Sequence, residues 1–328
     1  MNFDKLFSSF SDIKVAIVGD VMLDTYWWGH VERISPEAPV PVVSLDKKEY
    51  RIGGAGNVAL NTAALNAQTF IISVLGNDED GKKLTELFQQ NKVDTSYLIA
   101  TTERVTTSKT RIISRNQQMM RLDAEVTNDI NTELENELIQ QLKNCIKENK
   151  PDVLILEDYN KGVLTQRSIT EIIALCKANS IVTSVDPKRK NFFAYKGVDI
   201  FKPNLKEVKE GLNLLFDDVN VDLLKSIHRG LNEKLQHKIS LITLSEKGIF
   251  YHTGNTDKII PTHERNIADV SGAGDTVIAI ASLVYAATKD INLAAEMANI
   301  AGGLVCEEVG TAAINKEKLL QECKQLLN

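Results

Sequence analysis

What most constrains the fold of this chain is a repeated pattern: a short apolar run that ends in a polar residue, set among helical periods. Residues 15–18 run into Gly19-Asp20, 153–156 into Glu157-Asp158, and 182–185 into Asp186. Ile200-Phe201 runs into Lys202-Pro203-Asn204, and 239–244 into Ser245. Helical periods cover 134–148, 166–178 and 221–235. Alternation of this kind predicts a parallel sheet wrapped by helices. In such sheets ligands bind at the carboxyl ends of the strands, so the polar residues gathered there are informative as a set. Any one of them, taken alone, reads equally as a turn residue or helix cap. Two stretches break the rhythm. Residues 24–52 hold Pro36, Pro39, Pro41 and Trp27-Trp28, and 96–123 are rich in Thr, Ile, Val and Arg. Both read as antiparallel segments of a small sheet covering the strand ends, a lid on a single domain spanning 1–328.

Composition narrows the function classes. The 328 residues allow a large core, and a net charge of −6 argues against nucleic-acid binding. The cysteines Cys145, Cys176, Cys306 and Cys323 form no C-x-x-C pair and read as reduced packing residues. The N-terminal residues carry Asp4 and Lys5 and do not form a signal peptide. The longest apolar run, 276–287, is too short to span a bilayer. A cytoplasmic protein with no membrane partner is expected.

The chemistry concentrates in Asp269-Val270-Ser271-Gly272-Ala273-Gly274-Asp275-Thr276, a small-residue turn that opens an apolar helix. Unpaired amides at a helix start hold anions, and glycine lets the anion approach closely. A carboxylate in that first turn, Asp275, is placed to act as a general base beside the anion site. This is minimal equipment for moving a phosphoryl group onto a hydroxyl. The turn is not a Walker loop, because it lacks the lysine.

Other motifs are weaker singly. Gly53-Gly54-Ala55-Gly56-Asn57 precedes a helical pattern and lets backbone lie against a small polar ligand. It matches a dinucleotide fingerprint on paper, but the charged residues before it cannot form a buried strand. Asn204-Leu205-Lys206-Glu207 reads as a capping box, or as an element in which Glu207 orients water on Mg²⁺. Thr243-Leu244-Ser245-Glu246-Lys247-Gly248 is either a phosphate-contacting turn or a plain hairpin. Lys109, Arg111, Arg115 and Arg121 concentrate positive charge in the lid, suited either to an anionic substrate or to protecting an edge strand. The five histidines show no zinc spacing.

In this order, the motifs resemble the ribokinase-like (PfkB) carbohydrate kinases over nearly the whole chain. The stretch Gly19-Asp20-Val21-Met22-Leu23-Asp24, the block from Arg33-Ile34-Ser35-Pro36-Glu37-Ala38-Pro39 through Val43, and Ser114-Arg115-Asn116-Gln117-Gln118 are similar to the heptose 7-phosphate kinase modules of ADP-heptose synthesis. The resemblance implies a three-layer αβα sandwich with a β lid, a homodimer formed through the lid, and ATP with Mg²⁺. A monovalent cation is left open. It implies transfer to the anomeric hydroxyl of D-glycero-β-D-manno-heptose 7-phosphate, giving the 1,7-bisphosphate for lipopolysaccharide precursors. Carried over by motif, Asp275 is the base, and the amides of Gly272, Ala273 and Gly274 stabilise the transferring phosphoryl. Asn204, Glu207, Thr243, Ser245, Gly248 and Asp269 match the ATP and Mg²⁺ elements, with Glu207 reaching the metal through water. Asp20, Asp24, Gly53, Gly54, Asn57, Asp158 and Lys161 match substrate positions. The sugar phosphate is assigned to Lys109, Arg111, Arg115 or Arg121 by charge alone. Some relatives fuse a nucleotidyltransferase domain behind the kinase. This sequence ends at Asn328 without an H-x-G-H, so only the kinase step is expected. The rivals are a kinase for another sugar, a non-catalytic sugar sensor and, less compatible with the glycine context, a dinucleotide oxidoreductase.

Overall fold

In a computed structural model describing residues 2–115, 117–216 and 218–327, the chain folds around one large sheet. Its strands are β1 (Lys14–Gly19), β4 (Gln68–Gly76), β5 (Val93–Thr101), β8 (Val153–Glu157), β9 (Val182–Asp186), β10 (Ile200–Phe201), β11 (Ile239–Thr243), β12 (Ile249–His252) and β13 (Asp257–Ile260). The order is β13-β12-β11-β10-β9-β8-β1-β4-β5, parallel from β11 to β5, with β12 and β13 added antiparallel. Successive residues of β1 alternate between the two faces: Val15 and Ile17 enter one core, Ala16 and Val18 the other. Such burial on both faces is why the parallel strands read as continuous apolar runs.

The first core is covered by α1 (Phe3–Ser9), α2 (Ala55–Ala64), α3 (Glu79–Gln90), α8 (Ala273–Thr288), α9 (Ile291–Val305) and α10 (Lys316–Leu326). The second is covered by α4 (Thr132–Asn149), α5 (Gln166–Ala178), α6 (Leu205–Leu212) and α7 (Val221–Leu235). The result is the expected three-layer sandwich. After β1 the chain builds outward through β4 and β5, then returns to β8 on β1's other side. The reversal between β1 and β8 is a topological switch point, where a crevice opens at the carboxyl ends of the strands.

A second sheet, order β3-β2-β6-β7, forms the lid from β2 (Val21–Ile34), β3 (Pro41–Gly54), β6 (Ser108–Ser114) and β7 (Gln117–Ala124). The expected lid segment 96–123 needs one correction: its first residues, through Thr101, belong to β5 of the main sheet. That strand pairs with β4 on one side only and is half exposed, so its sequence imitates a lid strand. Asn116, in the expected Ser114 to Gln118 motif, lies outside the described residues. Among the described residues no helix is long and apolar enough to cross a membrane.

Candidate active site

The site is built where α8 starts beneath the lid. Gly272 precedes the helix with φ +78°, a conformation that favours glycine. A Cβ there would stand 2.6 Å from Asn57 Nδ2, so the turn and α2 meet only because the residue is glycine. Among the described residues the amides of Gly272, Gly274 and Asp275 have no hydrogen-bond partner, while Ala273 N and Thr276 N are bonded to Val270 O and Gly272 O. The helix start thus offers unpaired amides of the kind that hold an anion at Gly272, Gly274 and Asp275, but not at Ala273, whose expected role its bond to Val270 O opposes.

Asp275 is buried but polar in its surroundings. Its Oδ2 accepts from Asn57 Nδ2 at 2.9 Å and its Oδ1 from the Tyr159 hydroxyl at 2.7 Å. Burial lifts its pKa to about 6, against the lowering effect of those two donors. Glu157 at the end of β8 and Asp186 at the end of β9 complete a trio of carboxylates with ligand atoms within 4.8 Å of one another. Lys202 Nζ lies 2.6 Å from Asp186, and Lys188 Nζ lies 3.3 Å from Asp186 and 2.9 Å from Glu207. Burial opposes ionisation of Asp186, but the two lysines prevail and hold its carboxyl below the ordinary range. Burial and the neighbouring Asp186 and Asp275 charges push Glu157 well above it. Both Glu157 oxygens are buried with no hydrogen-bond partner, an expensive state for a carboxylate. An all-oxygen donor set with an orphaned carboxylate fits a hard divalent cation such as Mg²⁺.

The other expected residues fall into two groups. Asn204 and Glu207 form a reciprocal capping box at α6, each bonding the other's amide at 2.8 Å. Glu207 still joins the acidic trio through Lys188. Thr243 pairs with Asn204 in an isolated bridge, and Ser245 and Gly248 (φ +55° and +95°) close the β11–β12 hairpin at the same sheet edge. Gly53 and Gly54 end β3 beside Asp24 and Asp20. A Cβ on Gly53 would sit 2.3 Å from Asp24 Oδ2.

Several of the expected ligand residues have protein partners in place. Asp20 is occupied by the loop after β8: Tyr159 N and Lys161 N donate to Oδ2, and Val163 N donates to Oδ1. Asp158 accepts from Asn160 N, Tyr195 OH and Asn191 Nδ2. Asp269 shapes the turn, bonding Ser271 N, Ser271 Oγ and Gly310 N. Asp20 and Asp269 thus hold mainly loop amides, and Asp158 holds one amide and two side chains. Of the cations, Arg111 is paired with Asp24 at 2.5 Å, Arg121 with Asp123 at 2.7 Å and Lys161 with Glu125 at 2.7 Å. Arg115 sits exposed at the far turn of the lid. Among the described residues Lys109 has no carboxylate within ion-pair distance, and its Nζ lies 6.0 Å from the Tyr159 ring. Sequence reasoning marked Glu157, Asp186 and Lys202 only as members of a set of polar strand ends and assigned no role to Tyr159 or Lys188. Their one signal was their position at or just after the ends of β8, β9 and β10.

Fold and site together define an enzyme that transfers a phosphoryl group to an alcohol. The model of the "pfkB family carbohydrate kinase" matches residues 12–318, and the chain belongs to that family. Members use ATP with a divalent metal. The chain is 42% identical over 308 residues, 94% of its length, to the "Bifunctional protein HldE" of Helicobacter hepaticus, and 41% over 310 residues to that of Aliarcobacter butzleri. It spans 63% and 64% of those relatives, less than two thirds of either. Among solved structures, phosphofructokinase-2 from Escherichia coli in complex with potassium aligns with a TM-score of 0.78 at 16% identity, covering 96% of this chain and 99% of that one. Arabidopsis thaliana ribokinase complexed with ribose and ATP aligns at 0.72 and 17% identity, covering 94% and 99%. At those identities the likeness is one of fold.

Proposed function

We propose that this chain uses ATP to phosphorylate the anomeric hydroxyl of D-glycero-β-D-manno-heptose 7-phosphate, giving the 1,7-bisphosphate for ADP-heptose and lipopolysaccharide precursors. The observation that carries the chemistry is the Asp275 carboxylate lodged beside the free amides of Gly272 and Gly274. The substrate rests on the lid motifs quoted above and on about 40% identity to HldE proteins along nearly the whole chain.

In this mechanism the α8 amides receive the terminal phosphate of ATP, and Lys188 and Lys202 lie close by to offset charge. Asp186 and Glu157, with Glu207 through water, would hold Mg²⁺, which neutralises charge on the phosphates when bound. The sugar hydroxyl enters between Asp275 and the phosphate. Asp275 accepts its proton as the oxygen attacks, and ADP leaves. Lys109, on the lid, takes the sugar's own phosphate, and closure of the lid excludes water. The copies pair through the lid sheet to form a homodimer.

Asp275→Asn keeps the shape and loses the base. Turnover falls by about 10² to 10⁴, while nucleotide affinity measured by calorimetry stays within a few fold. Near-normal turnover in this variant removes Asp275 from the mechanism. A coupled ADP-release assay comparing heptose 7-phosphate with other phosphorylated and plain sugars tests the substrate. A preference for another sugar phosphate by kcat/KM rejects the heptose assignment and leaves the kinase.

A further inference from the structure

Both oxygens of Asp275 are engaged by side chains, and the two donors differ in kind. Asn57 is fully buried on α2, and its amide packs against the Gly272 turn. Tyr159 is half-buried in the loop after β8. The backbone of that loop is clamped, since the Asp20 carboxylate takes three of its amides, at Tyr159, Lys161 and Val163. Asn160 beside it holds a left-handed φ of +54°. With the backbone held, the Tyr159 side chain leaves Asp275 only by rotating about its own bonds. Its ring lies between two cations from opposite sides of the crevice, Lys109 Nζ from lid strand β6 at 6.0 Å and Lys188 Nζ from the nucleotide side at 5.3 Å.

A phenol at neutral pH presents to Asp275 Oδ1 the same group an acceptor sugar presents: an oxygen with its proton directed at the base, here at 2.7 Å. One carboxylate oxygen cannot serve both in the same direction. We propose that the Tyr159 hydroxyl is a place-holder for the acceptor hydroxyl, capping Asp275 Oδ1 until the sugar displaces it and thereby denying that position to water. The inference rests on Asp275 being the base. The side reaction it suppresses is ATP hydrolysis. In that reaction a water oxygen bonds to the γ-phosphorus, the bond to the β–γ bridging oxygen breaks, ADP leaves, and the water's proton passes to Asp275 and on to solvent.

Tyr159→Phe removes one oxygen and opens a polar gap at the base, where a water finds the carboxylate as partner. ATP hydrolysis without sugar is expected to rise about five- to tenfold, the scale of one lost hydrogen bond. With sugar present, the ratio of ADP formed to sugar phosphate formed is expected to exceed that of wild type, while the sugar KM stays level or falls. This ratio is read within one sample, so it does not depend on how much of the variant folds. A wild-type ratio with a lowered kcat overturns the inference and makes Tyr159 a plain support for Asp275. The double variant Tyr159→Phe with Asp275→Asn separates the two layers of argument. Loss of the extra hydrolysis supports both. Extra hydrolysis that persists in the double variant, together with sugar turnover in Asp275→Asn, overturns the base assignment itself.

Discussion

At the residue scale, charge pairing decides which lid cation is left for a substrate. Arg111, Arg121 and Lys161 each have a carboxylate within 2.7 Å, so an incoming phosphate competes with a partner already in place. Lys109 has none, and burial pushes its pKa down, which raises the benefit of an anionic partner. Lys109→Ala is expected to raise the KM for the phosphorylated sugar about 10- to 100-fold, the worth of one charge-assisted hydrogen bond, while Arg121→Ala changes it little. The loss must shrink when the same sugar is offered without its phosphate; an equal loss on both substrates removes Lys109 from phosphate recognition. Legibility at this scale was uneven for a physical reason. Asp275 and its glycines are contiguous, so a local turn geometry exposes them in the sequence. Glu157, Asp186, Lys188 and Lys202 converge only because β8, β9 and β10 are neighbours in the sheet, and strand order is not written in any local pattern. The same holds in reverse for Asp20 and Asp158, whose motif positions are those of ligands but whose oxygens are taken by loop amides and buried donors.

At the element scale the periodicities were dependable wherever a segment buries one clear face. The helical periods at 134–148, 166–178 and 221–235 correspond to α4, α5 and α7, and the apolar runs to β1, β8, β9, β10 and β11. The reading failed at β5, where an edge position leaves alternate residues exposed and hides the parallel pairing. The contact between α7 and the β11–β12 hairpin carries a consequence that no spacing rule revealed. His228 and His237 both reach Ser240 Oγ, at 2.9 and 2.6 Å, and His228 stacks on His252 at 3.9 Å. Burial, then mutual proximity, lowers His228 to about 4 and His237 to about 3, from 6.5. At these two histidines the unfolded chain therefore binds more protons than the folded one below pH 6.5, while the raised Asp275 and Glu157 act in the opposite sense. The histidines' own contribution to stability is full above that pH and is lost as pH drops toward 4 and then 3, by at most about 1.4 kcal/mol per pH unit for each. Chemical denaturation between pH 7 and 5 should show wild type losing stability relative to His237→Asn as pH falls, because the variant lacks one of the two histidine contributions. An unchanged slope in that variant places the sensitivity elsewhere.

At the scale of the whole molecule, the lid is where the chain is least self-sufficient. The sandwich buries both faces of its sheet, but the lid has two free edges, β3 and β7, and β7 is exposed along its length. Apolar side chains stand out on it: Ile34, Val40, Leu45, Met120 and Leu122 are each about half exposed or more. The register sets Ile112 opposite Met120 and Thr110 opposite Leu122, so these residues share one face of the lid. Lys109 and Arg111 project from the other face, toward the crevice. Scattered exposed leucines need no explanation, but an apolar cluster on a free-edged sheet is a surface that another sheet covers. Pairing of two lids satisfies this, and a stable contact needs roughly 800 Å² from each copy. Light scattering should therefore find a dimer. Met120→Glu with Leu122→Glu should give monomers that keep the wild-type circular dichroism, since neither side chain belongs to either core. A dimer that survives both charges rules out this face of the lid as the interface. Because Lys109 lies on the strand that pairs with β7, monomers should also bind the sugar phosphate less tightly while binding nucleotide as before. Loss of nucleotide affinity alongside the sugar would instead mean that the charges had disturbed the sandwich.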